Sequence, residues 1–180
     1  MKKRIVATLA TLFATLALAS TAAAAITITQ APAGPGYQNL SPWTCNGRNY
    51  SLANGPIRLG FGWAAHTTAQ MRQFFQYSHG SVSITGTDTL SDSWADNPNA
   101  TPYVSQLGIA WSPLESIMAT PPGGGAQIAA VASNYRGVLS LGPGTYTLSV
   151  MFVFDRPVQD GFTSYRGSLS NGGCTFTVTS

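Results

Sequence analysis

The stretch TYTLSVMFVF, residues 145–154, alternates without a break. Tyr146, Leu148, Val150, Phe152 and Phe154 fall on one side, and Thr145, Thr147, Ser149 and Met151 on the other. A period of two sustained over this length fits an extended strand with one face buried, because a helix would scatter the same apolar residues around its axis. Gly142-Pro143-Gly144 supplies turn chemistry ahead of it. Asp155-Arg156-Pro157 is expected to end it, since proline donates nothing to a ladder. Such a strand requires a second apolar layer to cover it.

Other segments can supply that layer. CTFTVT (174–179) turns Cys174, Phe176 and Val178 inward after the Asn171-Gly172-Gly173 turn. IRLGFGW (57–63) turns Ile57, Leu59, Phe61 and Trp63 inward, while Gly60 and Gly62 on its reverse face are expected to admit a neighbouring backbone. ITIT (26–29), SVSIT (81–85), QLGIAW (106–111) and the region 128–141 read as shorter or less regular strands. Short alternating segments between Gly- and Pro-rich turns point to a mainly β fold, an antiparallel β-sandwich of immunoglobulin-like or jelly-roll-like type. The phrase PGTYTLSV with the later PVQDG resembles phrases in bacterial extracellular sandwich modules, immunoglobulin-like ones among them. That resemblance implies a fold and no activity. The Cys…Trp…Cys core of a true immunoglobulin domain is absent.

One segment has a different period. In TTAQMRQFFQYSHG (67–80), Ala69, Met71, Phe74 and Phe75 recur at helical spacing, Thr67 and Gln70 fit a capping box, and Gly80 stands where the helix should stop. This predicts one short α-helix near 67–78, whose Met and Phe stripe packs on the core rather than forming a ligand groove. TPPGGG (120–125) reads as a flexible loop.

The N-terminus bears on location. Lys2, Lys3 and Arg4, an apolar run, and Ala residues ahead of Ile26 form the pattern of a secretory signal peptide over 1–25, leaving 26–180 as a single β-sandwich domain. The apolar run is too short and too rich in Thr for a membrane span, so no membrane insertion is expected after cleavage. The formal net charge of +3 then belongs to the leader alone, and six arginines balance six acids in the rest. That balance argues against nucleic acid as a partner, and against an anionic membrane surface. Cys45 and Cys174 are the only cysteines. In an exported chain they most simply form a disulfide, worth about 5 kcal/mol on the chain-entropy account of so long a loop. His66 and His79 stand at no zinc-site spacing from them.

Candidate sites are few. TDTLSDSWADNPNA (87–100) holds Asp88, Asp92 and Asp96, half of the acidic residues. Calcium is the cation such oxygens would suit, but the four-residue spacing without an intervening Gly is not that of a calcium loop. The stretch reads instead as a polar loop held by local backbone bonds, and no cofactor is expected. Glu115 is the only Glu, a G-x-S-x-G elbow is absent, and His66 and His79 merely bracket the helix. Oxidised cysteines would furnish no thiol nucleophile. The expectation is a non-catalytic secreted protein with a binding or surface role. Its partner would be a glycan or a protein, for which Trp43, Trp94 and Trp111, each beside Pro, Ser or Asp, are the candidate stacking residues of a carbohydrate-binding module. The competing expectation for the same rings is burial, pinning loops to the sandwich. A glycan-active enzyme is the more distant alternative.

Overall fold

In the computed structural model, residues 25–32, 34–95, 103–121 and 123–180 are described. They form β1 (Thr27–Gln30), β2 (Gln38–Leu40), β3 (Arg48–Ser51), β4 (Ile57–Ala65), α1 (Thr68–Tyr77), β5 (Ser78–Thr85), β6 (Thr89–Trp94), β7 (Glu115–Ala119), β8 (Ile128–Ser140), β9 (Gly144–Gln159), β10 (Ser164–Ser170) and β11 (Cys174–Thr179). The first sheet has the order β1-β8-β4-β2, with β7 also on β8. The second has the order β3-β11-β9-β5-β6, with β10 also on β9. The two sheets face each other as a β-sandwich with one short helix.

Pairing is mostly antiparallel, with two exceptions to the expectation: β2 runs parallel to β4, and β3 parallel to β11. The cause is connectivity. After β2 the chain crosses to the second sheet as β3 and returns as β4, and a crossover, unlike a hairpin, brings the next strand back in the same direction.

β9 anchors the second sheet, bonding to β5, β10 and β11. Tyr146, Leu148, Val150, Phe152 and Phe154 are all buried, as the alternation demands. Pro157 does not end the strand. The β9–β10 register shifts between Tyr165 and Gly167, so residues 155–157 fall in an irregular stretch where no ladder N–H is required of the proline.

The core between the sheets is largely aromatic. Phe61 of β4 stacks on Tyr135 of β8 with centroids 4.7 Å apart and meets Phe152 of β9 edge-on at 6.1 Å. Trp63 stacks on Phe74 of α1 at 4.7 Å, which fastens the helix across one end. Contacts of this kind add about 0.5–1.5 kcal/mol each beyond the area they bury. The capping box is present: Thr67 Oγ1 accepts from Gln70 N at 3.3 Å, and Thr67 N donates to Gln70 Oε1 at 2.9 Å. Met71, Phe74 and Phe75 are buried, so the helical stripe is core.

Several boundaries differ from the reading of the sequence. The helix stops at Tyr77, where Ser78 Oγ donates to Phe74 O at 2.6 Å and the chain passes directly into β5. Gly80 is a strand residue, not a helix stop. A Cβ there would lie 2.3 Å from Met151 O and 2.6 Å from Trp94 Cζ2. Residues 106–111 are a turn and loop with an isolated Val104–Ala110 bridge, and Gly108 at φ 82° breaks the expected strand. The close approach of a neighbouring backbone expected at both glycines of β4 is found at Gly62, where the Ser133 carbonyl and the Asn134 side chain crowd the place of a Cβ, and not at Gly60, which nothing approaches. Cys45 and Cys174 are disulfide-bonded, with Cα atoms 5.7 Å apart. The bond ties the turn before β3 to the start of β11. Among the described residues no helix is long and apolar enough to cross a membrane.

The two glycines give opposite predictions. Gly80→Ala should lower stability by about 1–3 kcal/mol through overpacking. Gly60→Ala, in open space, should stay within about 0.5 kcal/mol of the parent. Urea unfolding of both variants measures the difference, and equal midpoints would contradict the packing at Gly80.

Candidate functional site

The three tryptophans do not share a face. Trp43 is 48% exposed in the turn ahead of Cys45, while Trp94 and Trp111 are 3% and 2% exposed. Trp94 occupies an inward position of β6, following Leu90 and Asp92 at alternate residues. Trp111 ends the loop packed under α1, and the two indoles meet at 5.6 Å inside the core. Ser93, the polar neighbour of Trp94, lies on the other side of the strand. Stacking of a glycan on Trp94 or Trp111 is therefore overturned, and the expectation of burial holds for those two.

The aspartates part company as well. The polar-loop reading fails over Thr89–Trp94, which is strand β6. Asp92 is buried within the sandwich. Its Oδ2 accepts from Tyr135 Oη at 2.7 Å, and its Oδ1 accepts from Ser93 N at 2.9 Å and Leu107 N at 3.0 Å. A carboxylate so bonded brackets both sheets and the 106–111 loop, and these bonds offset the cost of its burial. Burial first, then the bond to Asp92 and its charge, push the Tyr135 phenol far above the usual tyrosine range. Asp88 is half-buried on the bend before β6, and Asp96 lies outside the described residues. Among the described residues no three His, Cys, Asp or Glu side chains stand together as a metal set. A calcium site built on Asp92 would have to displace the three donors it already holds.

Glu115 on β7 faces Arg136 of β8 at 3.6 Å, beside a hollow of about 350 Å³ that Gln30 and Asn134 also line. His66 precedes the helix on the surface, and His79 projects from the outer face of β5 with Nδ1 3.3 Å from Asp155 Oδ2.

The larger concavity lies on the outer face of the second sheet, a groove of about 520 Å³ across β5, β6 and β9. Ser81, Ser93 and Gln106 give it hydrogen-bonding walls, and Met151 and Val153 an apolar one. His79 stands at one end, and Gly80 and Trp94 also line it. Gln106 N donates to Ser93 O at 2.8 Å, which holds the loop against the groove's edge.

Strand register extends this face as rows of hydroxyls. Thr89, Thr85, Thr147 and Thr175 stand side by side on β6, β5, β9 and β11, with Thr147 Oγ1 and Thr175 Oγ1 at 3.4 Å. The next row is Ser91, Ser83 and Ser149; the one after, Ser93, Ser81, Met151 and Ser170, opens the groove. The sequence reading missed this surface, although SVSIT and TLSDSW carried its alternation on either side of a short turn.

No known protein-family model matches the chain, and no curated protein matches it.

Alkaline pH reports on a half-buried phenol. Tyr165 is pushed up to about 12 by burial, then by the charge and hydrogen bond of Asp160. An unfolded tyrosine loses its proton near 10, so between about pH 10 and 12 the folded chain holds a proton the unfolded chain has released. Stability should therefore be intact below pH 10 and fall as pH rises through that window. Tyr165→Phe should make the fall shallower in urea midpoints measured across it, and an unchanged slope would contradict the assignment.

Proposed function

We propose that this protein is a secreted, single-domain, non-catalytic binding protein whose ligand occupies the groove across β5, β6 and β9. The observation that carries this reading is the groove itself: a concavity of about 520 Å³ with an apolar wall and hydroxyl and amide walls, on a sheet face that no described element covers. Concave sites that combine apolar lining with a few placed hydrogen-bonding groups are where small ligands and chain segments bind. The polar groups of the walls suit recognition. His79 stands at one end, 3.3 Å from Asp155, with both side chains well exposed. Export is supported by the signal-peptide pattern of 1–25 and by the disulfide, which forms and persists in oxidising compartments. The reading needs no cofactor.

A structural, self-associating role is the second reading. It is favoured by β7, which among the described residues pairs only with β8 and exposes Met118 along an edge with no charge beyond Glu115.

Ser81→Trp fills the groove without touching the core. On arrays of oligosaccharides and peptides, the parent should bind at least one probe and Ser81→Trp should lose it by about tenfold or more, while Thr29→Trp on the first sheet should not. Equal binding by Ser81→Trp, or a parent that binds nothing yet self-associates, would overturn the groove in favour of the second reading.

A further inference from the structure

We infer that a small cavity beside Trp63 is a second binding site, one that takes a quaternary ammonium head group of the trimethylammonium type. It shares no residue with the groove, so the inference goes beyond the reading above. Trp63 and Ala64 of β4, Thr120 after β7, Asp160 and Phe162 of the turn between β9 and β10, and Tyr165 of β10 are among the residues lining its 190 Å³ or so. Sites that enclose drug-sized molecules hold roughly 300–1,000 Å³, so a single head group is what fits here. Three of the lining residues are aromatic. The Trp63 and Tyr165 rings stand at 73° to each other with centroids 4.7 Å apart, forming two walls. Phe162, half-buried in the turn, adds a third. Ring faces carry the negative end of a quadrupole, and aromatic cages hold methylated ammonium groups by that attraction.

The second observation is a charge without a counter-charge. Asp160 is 4% exposed and is the one charged residue in the cavity's lining. Among the described residues it makes no ion pair. Its Oδ1 accepts from Phe162 N and Thr163 N, both at 2.8 Å, which folds the turn and sets Phe162 in place. Gly161, at φ 87° and too close to His66 for a Cβ, permits that turn. These bonds, with that of the Tyr165 phenol, take up much of the carboxylate's accepting capacity and leave its charge. A buried charge is costly unless paired. This one still acts on Tyr165, which burial first and then Asp160 push up to about 12. The site therefore wants positive charge more than hydrogen-bond donors. A guanidinium or primary ammonium would bring donors to a place with few acceptors left, whereas a quaternary ammonium brings charge under an apolar surface that rings can cover.

The test is titration of the purified mature protein with choline at neutral pH, followed by amide and indole NMR shifts. Methylguanidinium and the uncharged isostere of choline, in which a tert-butyl group replaces trimethylammonium, are titrated beside it. Choline should shift Trp63, Phe162 and Tyr165 saturably and bind about tenfold or more tightly than the isostere. Asp160→Asn, which keeps an oxygen to accept from the turn, should weaken choline by about tenfold and leave the isostere unchanged. Phe162→Leu should weaken choline by about threefold, and Thr29→Trp should change nothing. Thermal melts confirm that each variant is folded; if Asp160→Asn is not, Phe162→Leu and the isostere decide. Co-sedimentation with phosphatidylcholine vesicles, competed by choline, would assign the head group to a lipid, and choline binding without it to a free solute. Equal binding of choline and its isostere, or tighter binding of methylguanidinium than of choline, would overturn the inference. So would choline shifts that are absent or confined to the groove.

Discussion

The apolar face of β9 is the element on which the sandwich depends. Its five inward residues are buried, Phe152 meeting rings from the first sheet, from β6 and from α1 and Tyr146 stacking on Phe176 of β11, and its backbone bonds to three other strands of its own sheet. Phe152 alone has ring contacts with Phe61, Trp63, Phe74, Trp94 and Trp111. Aromatic rings bury large areas with few rotatable bonds, so one strand can organise a core of this size at a modest cost in side-chain entropy. The disulfide acts differently: it constrains the unfolded chain by closing a loop, 129 residues in sequence separation, that contains β3 to β10.

Polar groups are placed in answer to that core. Asp92 stands at an inward position, and its cost is offset only because Tyr135, from the opposite sheet, and two backbone amides converge on it. The loop carrying Leu107 is thereby fixed, which sets Gln106 at the rim of the groove. A buried bracket and a surface concavity are thus joined through one short segment. The outer face of the second sheet, by contrast, is left to hydroxyls because nothing there must be buried.

Legibility in the sequence followed the range of the signal. β9, β11, β4 and the capped helix were readable because alternation or a capping box is complete within a few residues. The Cys45–Cys174 bond was readable from compartment and count. β6 was not, because Asp92 interrupts its apolar side and the partner that permits this, Tyr135, is 43 residues away. For Trp94 and Trp111 the sequence left stacking and burial open because their neighbours are polar; in strand β6 the polar Ser93 belongs to the face opposite Trp94, and Trp111 is buried by a loop whose path the sequence does not show. Gly80 suited both a helix stop and a close approach, and only the position of Trp94 decides between them. The groove depends on the register of three strands, of which the sequence showed the alternating serines and not their alignment.

Three of the four tryptophans are sealed in the shared core and only Trp43 is open to solvent. Acrylamide quenching of a Trp43→Phe variant tests that arrangement most directly. The folded variant should emit at short wavelength and resist the quencher until denaturant is added. Emission at long wavelength, or quenching as efficient as in the unfolded chain, would contradict an aromatic core organised by β9.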